Sequence, residues 1–375
     1  MMKILFWLSA LTVLYVYVGY PCLAAAWARV ADRRPRRIPF DTGRWPSISI
    51  VVAARNEARR LPARVRNLIE QNYPGRREIF VVSDGSMDAP GEALAPFGDA
   101  VTLIELPPGG KPLALNAGVM AAKGDILVFA DARQRFAPGA ITELVLNFSD
   151  PAVGGVTGEL VLDADTGTPD SSVGEGVGLY WRYEKWLRRN ESRIWSTLGA
   201  TGAIYALRRS LWRPLPASAL LDDVLAPMRA VIGGRRIVFE ERAIAYDRAS
   251  TDAAAESRRK TRTLAGNYQI LAQEPRILLP IVNPVWLQYL SHKVGRLVVP
   301  WALVGLLVSS AALGPWSLLY GAALAAQILF YGLAALGAIL NARERLSRIA
   351  FTFVMLNYAA VAGLAALRRG REVWR

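Results

Sequence analysis

Apolar positions along the chain fall into two regimes. Four long runs, at about 4–28, 297–314, 317–340 and 349–367, are each near or above the ~18–20 residues that a helix needs to cross a bilayer. The stretch 38–275 carries charges throughout and has the pattern of a water-soluble domain. Within it, short β-branched runs of strand length stand at 47–53, 78–83, 101–105 and 126–130. Between them lie helical patterns. One opens at Arg55-Asn56-Glu57-Ala58, and another runs from Pro112 to Ala122 and stops at Gly124. A further helix is predicted over 171–192, with an aromatic edge of Tyr180, Trp181, Tyr183 and Trp186 that reads first as core packing. Strands alternating with helices predict an α/β domain with a mostly parallel sheet. From Ile277 to Arg296 the apolar pattern is broken by Pro280, Asn283, Pro284, His292 and Lys293, which predicts an interfacial segment. The expected layout is a transmembrane anchor (1–28), a basic linker (29–46), the α/β domain (47–275), the interfacial segment (276–296) and a C-terminal transmembrane region (297–375).

Charge refines this layout. The formal net charge is +14, and the mean hydropathy is +0.22. The arginines gather beside the apolar runs: Arg29, Arg33, Arg34, Arg36 and Arg37, then Arg343, Arg345 and Arg348, then Arg368, Arg369, Arg371 and Arg375. That placement fits the positive-inside rule and attraction to anionic headgroups, and predicts an integral protein of the cytoplasmic membrane with its α/β domain in the cytoplasm. No aromatic-interleaved basic groove or zinc-finger spacing accompanies the charge, so nucleic acid is not the expected partner. The first run has its positive charge after it, the reverse of a signal peptide, and reads as an uncleaved anchor. One anchor and three further crossings would put residues 368–375 outside. A re-entrant or interfacial last segment, or a crossing by the interfacial segment, would bring these arginines to the cytoplasm, where they are expected. Cys22 is the single cysteine, so no disulfide forms within the chain. His292 is the single histidine and is expected at the interface beside Lys293 and Arg296.

The chemistry sits at strand ends. Arg55, Asp84 and Asp131 each follow a predicted strand, and in parallel sheets the carboxyl ends of strands share one crevice. Ser83-Asp84-Gly85-Ser86 is also good turn chemistry, and Asp222-Asp223 also suits a helix start. Gly109-Gly110-Lys111 allows close backbone approach to a diphosphate. Together these stations suggest a pocket for a sugar carried on a nucleoside diphosphate.

The ordered set Ala54-Arg55-Asn56-Glu57, Ser83-Asp84-Gly85-Ser86, Gly110-Lys111, Ala130-Asp131-Ala132-Arg133, Gly202-Ala203 with Arg208-Arg209, and Asp222-Asp223 resembles the membrane-embedded family-2 glycosyltransferases. That group includes cellulose, hyaluronan and poly-N-acetylglucosamine synthases and ceramide glucosyltransferases. The resemblance covers about residues 45–275, and the flanking membrane layout matches it. It implies a GT-A-type fold and inverting transfer from a nucleotide sugar, with a UDP-sugar expected, to a surface polysaccharide or lipid-linked acceptor. It also implies membrane lipids and other polysaccharide-assembly subunits as partners.

Residue by residue, the resemblance implies that Arg55, Glu57, Asp84, Lys111, Asp131 and Arg133 face the donor. Asp223 is implied as the base, with Asp222 in support. Gly202, Arg259 and Arg262 are implied on the acceptor and diphosphate side. Arg55 stands where some relatives stack an aromatic residue on the base, and a guanidinium can stack too. Arg262 matches the arginine of Gln-x-x-Arg-Trp, while Thr263 replaces its tryptophan and puts processivity in question. Asp131 is the first acid of an Asp-x-Asp pair that would hold Mg2+ or Mn2+. Arg133 replaces the second acid, which related enzymes use as the direct metal ligand. Either Asp131 and another group hold the ion, or Arg133 itself supplies positive charge to the phosphates. The same substitution would suit a catalytically inactive subunit of a polysaccharide-synthesis assembly, a reading that the retained Asp84, Lys111, Asp131 and Asp223 disfavour.

Overall fold

The computed structural model describes residues 1–41, 43–163, 172–248, 253–339 and 345–368. Helix α1 (Met2–Ala31) leads through the arginine-rich linker to strand β1 (Ile48–Ala54). Helix α2 (Leu61–Ile69), β2 (Arg77–Asp84), β3 (Thr102–Leu106), α3 (Lys111–Ala121) and β4 (Ile126–Asp131) follow. The second half of the domain holds β5 (Arg135–Phe136), α4 (Ala140–Leu146), β6 (Val153–Asp163), α5 (Ser172–Ile194) and β7 (Ile204–Arg208). It closes with α6 (Asp222–Ile232), β8 (Arg236–Arg248) and α7 (Ala253–Gln273). The remaining helices are α8 (Trp286–Trp316), α9 (Leu318–Ile339) and α10 (Arg345–Arg368).

The eight strands form one mixed sheet in the order β3-β2-β1-β4-β7-β6-β8-β5. β1, β2, β3 and β4 are mutually parallel, as their apolar runs predict. β7 runs antiparallel to both β4 and β6, and β8 pairs parallel with β6. The domain has the GT-A-like architecture expected, and its second half adds β6 and β8, whose runs mix apolar and polar residues.

Alternation along each central strand builds two cores. On β4, Ile126, Val128 and Ala130 face a layer with Leu61, Val65 and Leu68 of α2. Leu127 and Phe129 face the other side, against Ala114, Leu115 and Val119 of α3 and Leu225 and Met228 of α6. A strand buried on both faces has no polar side, and this is why these runs read as continuous apolar segments.

The helical pattern expected from Arg55 starts later. Asn56 takes a left-handed backbone (φ 54), and α2 begins at Leu61. The Asn56 amide donates to Ser86 Oγ (3.0 Å), and Met87 N–H donates to Asn56 Oδ1 (3.0 Å). Side-chain bonds thus tie the loops after β1 and β2 together where a first helical turn was expected. Asparagine tolerates this backbone region better than most residues.

Four helices, α1, α8, α9 and Leu346–Arg368 of α10, are long and apolar enough to cross a membrane, judged by length and composition. The segment before the second apolar run is tied to the domain. α8 begins at Trp286, so residues 286–296 of the expected interfacial segment continue directly into a long apolar helix. His292, expected at an interface, is 3% exposed. It faces Glu191 through Nδ1 (2.7 Å) and Glu184 through Nε2 (3.3 Å). Glu191 also accepts from the Tyr20 hydroxyl (2.7 Å). Arg296 pairs with Glu184 and donates to Tyr180 Oη (3.0 Å). Side chains of α5 therefore lock α1 and α8 onto the domain, and Tyr20, Ala24 and Ala28 of α1 pack on Leu187 and Ile194. Buried charges at such a depth require partners, which the Glu184 and Glu191 carboxylates supply. The arginines expected beyond Arg368 lie outside the described residues.

Candidate active site

The candidate residues after β1, β2 and β4 do meet at one edge of the sheet. Asp84 ends β2 and is 5% exposed. Its Oδ1 accepts the backbone N–H groups of Gly109 (2.6 Å) and Gly110 (2.9 Å), and Oδ2 accepts Gly110 N–H at 3.0 Å. Arg55 Nη1 stands 3.8 Å from Oδ2. Asp84 thus holds the Gly-Gly loop that presents Lys111. The turn needs glycine at Gly85, where φ is +62 and an added Cβ would come 2.4 Å from Pro108 Cγ. Glu57 pairs with Arg60 and stays at the rim.

Lys111 begins α3 and reaches across the sheet edge. Its Nζ lies 3.0 Å from Asp131 Oδ1 and 3.4 Å from Asp222 Oδ2. Burial alone would lower the ammonium pKa, but Asp131, Asp222 and Asp223 outweigh it and raise the pKa. Asp222 and Asp223 open α6, as two acids at a helix start favour. Asn116 sets the approach of this segment, exchanging two hydrogen bonds with the backbone of Leu215 (2.8 and 2.9 Å).

Asp223 faces Gly202. The Gly202 N–H donates to Asp223 Oδ2 (3.2 Å), and the Ala200 N–H donates to the Asp223 carbonyl (2.6 Å). A Cβ on residue 202 would come 3.0 Å from Asp223 Oδ2, so glycine makes room for the carboxylate. Burial, then the neighbouring Asp222, push the Asp223 carboxyl up to about 6, with Lys111 opposing. A carboxyl with a proton affinity near neutrality is in the range in which a general base is effective.

The other candidates lie apart from this cluster. Arg133 Nη2 bonds Asp247 Oδ2 (2.9 Å) on β8, which also accepts from Gln134 Nε2 (2.9 Å). Its guanidinium, 48% exposed, is held toward β8 and leaves Asp131 to Lys111. Arg259 and Arg262 are exposed on α7. Arg208 and Arg209 bind backbone carbonyls of Val153, Phe148 and Gly124, a structural role.

Two residues near the site escaped the sequence reading. Tyr205 on β7 is buried beneath the carboxylates, stacked on Phe129 with ring centroids 4.5 Å apart. Burial, followed by Asp222 and Asp223, raises its phenol pKa well above the ordinary value. Its position three residues after Gly202 was the available signal. Asp247 sits far along the chain and carries no local motif.

The donor set bears on a divalent ion. Among the described residues no group of three or more His, Cys, Asp or Glu side chains could hold a metal ion by itself. An ion that arrives bridged to a diphosphate draws on only one or two protein carboxylates, and Asp131 at the end of β4 can provide one. The residues therefore fit an ion completed by phosphate oxygens.

Residues 49–213 match the family described as glycosyl transferase family 2. Among curated proteins, the chain is 26% identical over 240 residues to a "Probable glycosyltransferase YdaM" of Bacillus subtilis (strain 168), covering 60% of this chain and 56% of that protein. It is 31% identical over 180 residues to an "N-acetylglucosaminyltransferase" of Mesorhizobium japonicum, covering 44% of this chain and 40% of that protein. The chain thus spans about half the length of these two relatives. A second "N-acetylglucosaminyltransferase", from Rhizobium leguminosarum bv. trifolii, is 35% identical over 123 residues, covering 31% of this chain and 68% of that protein. Among solved structures, the "Mannosyltransferase PcManGT from Pyrobaculum calidifontis in complex with GDP-Man and Mn2+" superposes with a TM-score of 0.74 at 22% identity. The match covers 98% of this chain and 100% of that one, a likeness of fold.

The electrostatic reading of the cluster makes a direct prediction. Lys111→Met removes the cation that most opposes the Asp223 shift, ahead of Lys293. The Asp223 titration should then move up from about 6. Infrared difference spectra of the carboxyl band against pH, with Asp223→Asn to assign it, read the midpoint. An unmoved midpoint would mean that Lys111 does not set the proton affinity of Asp223.

Proposed function

The chain belongs to glycosyl transferase family 2, and from this we propose that it moves a sugar with inversion from a UDP-sugar to a polysaccharide or lipid-linked acceptor at the membrane surface. The observation that carries the reading is Asp223. It is a carboxylate with its pKa raised to about 6, oriented by the Gly202 N–H and placed beside the Lys111, Asp131 and Asp222 cluster. The N-acetylglucosaminyltransferase relatives make UDP-N-acetylglucosamine the first donor to test.

In this reading the loops after β1 and β2 take the base. Arg55 stacks on it, and Asp84 Oδ2, engaged among the described residues by Gly110 at 3.0 Å and Arg55 at 3.8 Å, accepts its N–H. Lys111 meets the diphosphate and offsets its charge as the nucleotide leaves. Asp223 takes the proton of the acceptor hydroxyl. The acceptor oxygen forms its bond to the anomeric carbon on one face as the bond to the diphosphate oxygen breaks on the other, which inverts the centre. Asp222 holds Lys111 in place from below. A divalent ion bound with the donor would be held by Asp131 and would neutralise the leaving diphosphate. The catalytic domain faces the cytoplasm, supported by the arginines Arg29, Arg33, Arg34, Arg36 and Arg37 at the domain end of α1.

Asp223→Asn should keep UDP affinity, read by calorimetry, and lose turnover by a factor on the order of 10²–10⁴. Transfer at the wild-type rate would remove Asp223 from the role. For the metal, Lys111 already carries positive charge at Asp131, so a chelator should leave residual transfer. Arg133→Asp should make the dependence on Mn2+ or Mg2+ steeper, by restoring a second carboxylate. Complete loss of wild-type activity on chelation, restored only by a divalent ion, would show the ion to be indispensable.

A further inference from the structure

The segment that follows Asp131 is strapped to β8. Arg133 Nη2 donates to Asp247 Oδ2 at 2.9 Å, and Gln134 Nε2 donates to the same oxygen at 2.9 Å. Arg135 pairs with Tyr246 across β5 and β8, and its guanidinium lies 4.6 Å from the Tyr246 ring centroid. The Ala137 N–H donates to the Ile244 carbonyl at 2.9 Å. Burial differs along this strap. Gln134, Phe136 and Asp247 are buried, whereas the Arg133 side chain is 48% exposed. Arg133 can therefore swing away while the strand pairing beneath it holds.

We propose that Asp247 is a positioning residue that keeps Arg133 in reserve, and that the diphosphate of an arriving nucleotide sugar draws the guanidinium off Asp247 as a second cation beside Lys111. The proposal rests on the glycosyltransferase reading and deepens it. Lys111 already faces Asp131 at 3.0 Å and Asp222 at 3.4 Å, so its ammonium alone offers a diphosphate little net positive charge. Arg133 follows Asp131 by two residues, at most ~7 Å of backbone. Among the described residues its guanidinium bonds Asp247 through Nη2 alone. Phosphate oxygens accept two parallel N–H groups from one guanidinium, so a single contact is exchanged for a fork. Stripping a buried carboxylate of all its donors would be costly. Gln134 Nε2 shares Oδ2 and stays in place when Arg133 leaves, which keeps Asp247 hydrogen-bonded. Asp247 and the donor thus compete for one cation, and the strength of the Arg133–Asp247 pair sets how firmly the nucleotide is held.

The test uses the full chain in lipid nanodiscs with a chelator present, and calorimetry with UDP and GDP. Asp247→Asn releases Arg133 and should tighten binding of the preferred nucleotide ~3-fold or more. Arg133→Gln, at a half-exposed side chain, should weaken it by a similar factor. In the double variant the gain from Asp247→Asn should vanish, because no guanidinium remains to be released. A pair that only braces the fold predicts otherwise. Affinity unchanged or weakened in Asp247→Asn, unchanged in Arg133→Gln, or tightened by Asp247→Asn even without Arg133 would each overturn the reserve role alone. Binding of neither nucleotide by the wild type would overturn the glycosyltransferase reading and the reserve role with it.

Discussion

The site depends on one placement of charge: the Lys111 ammonium, 3.0 Å from Asp131 and 3.4 Å from Asp222. Three carboxylates at one sheet edge would repel one another and drive protons onto themselves. The Lys111 ammonium stands within reach of two of them. The third, Asp223, then feels burial and Asp222 against Lys111, and its pKa settles at about 6. The surrounding fold serves this arrangement. Asp84 fixes the glycines before Lys111, Asn116 fixes the segment before α6, and Gly202 leaves space for the Asp223 carboxylate.

Much of the first half was legible in the sequence, for a physical reason. β1, β2 and β4 are buried on both faces, so their apolar runs end sharply where the backbone leaves the sheet. Asp84 and Asp131 mark those ends. Parallel pairing then brings the ends together. The second half was less legible because β6 and β8 mix polar residues into their runs and the strands pair in both directions. Asp247, the partner of Arg133, is more than a hundred residues away and has no motif around it. The expected helix start at Arg55 failed because Asn56 and Ser86 bond across two loops, a tertiary contact that local pattern does not contain.

His292 shows the same limit in the membrane-flanking part. Polar residues in an apolar stretch read as an interfacial helix when only their own segment is considered. Their partners Glu184 and Glu191 lie on α5, about a hundred residues earlier, and convert an apparent interruption into a buried joint. The last helix is tied to the domain in a comparable way. Gly363 of α10 packs so closely on α7 that a Cβ would come 2.8 Å from Ala265 N. Two long helices, one apolar and one of the domain, thus meet closely at this point.

The central claim is that the cluster holds Asp223 as a base with a proton affinity near neutrality. The most direct measurement is kcat/KM for sugar transfer by the wild-type protein from about pH 5 to about pH 8. The base acts deprotonated, so the rate should rise with pH through a midpoint near 6 and level above it. A rate that is flat across this range, as an ordinary aspartate titrating near ~3.9 would give, would contradict the account.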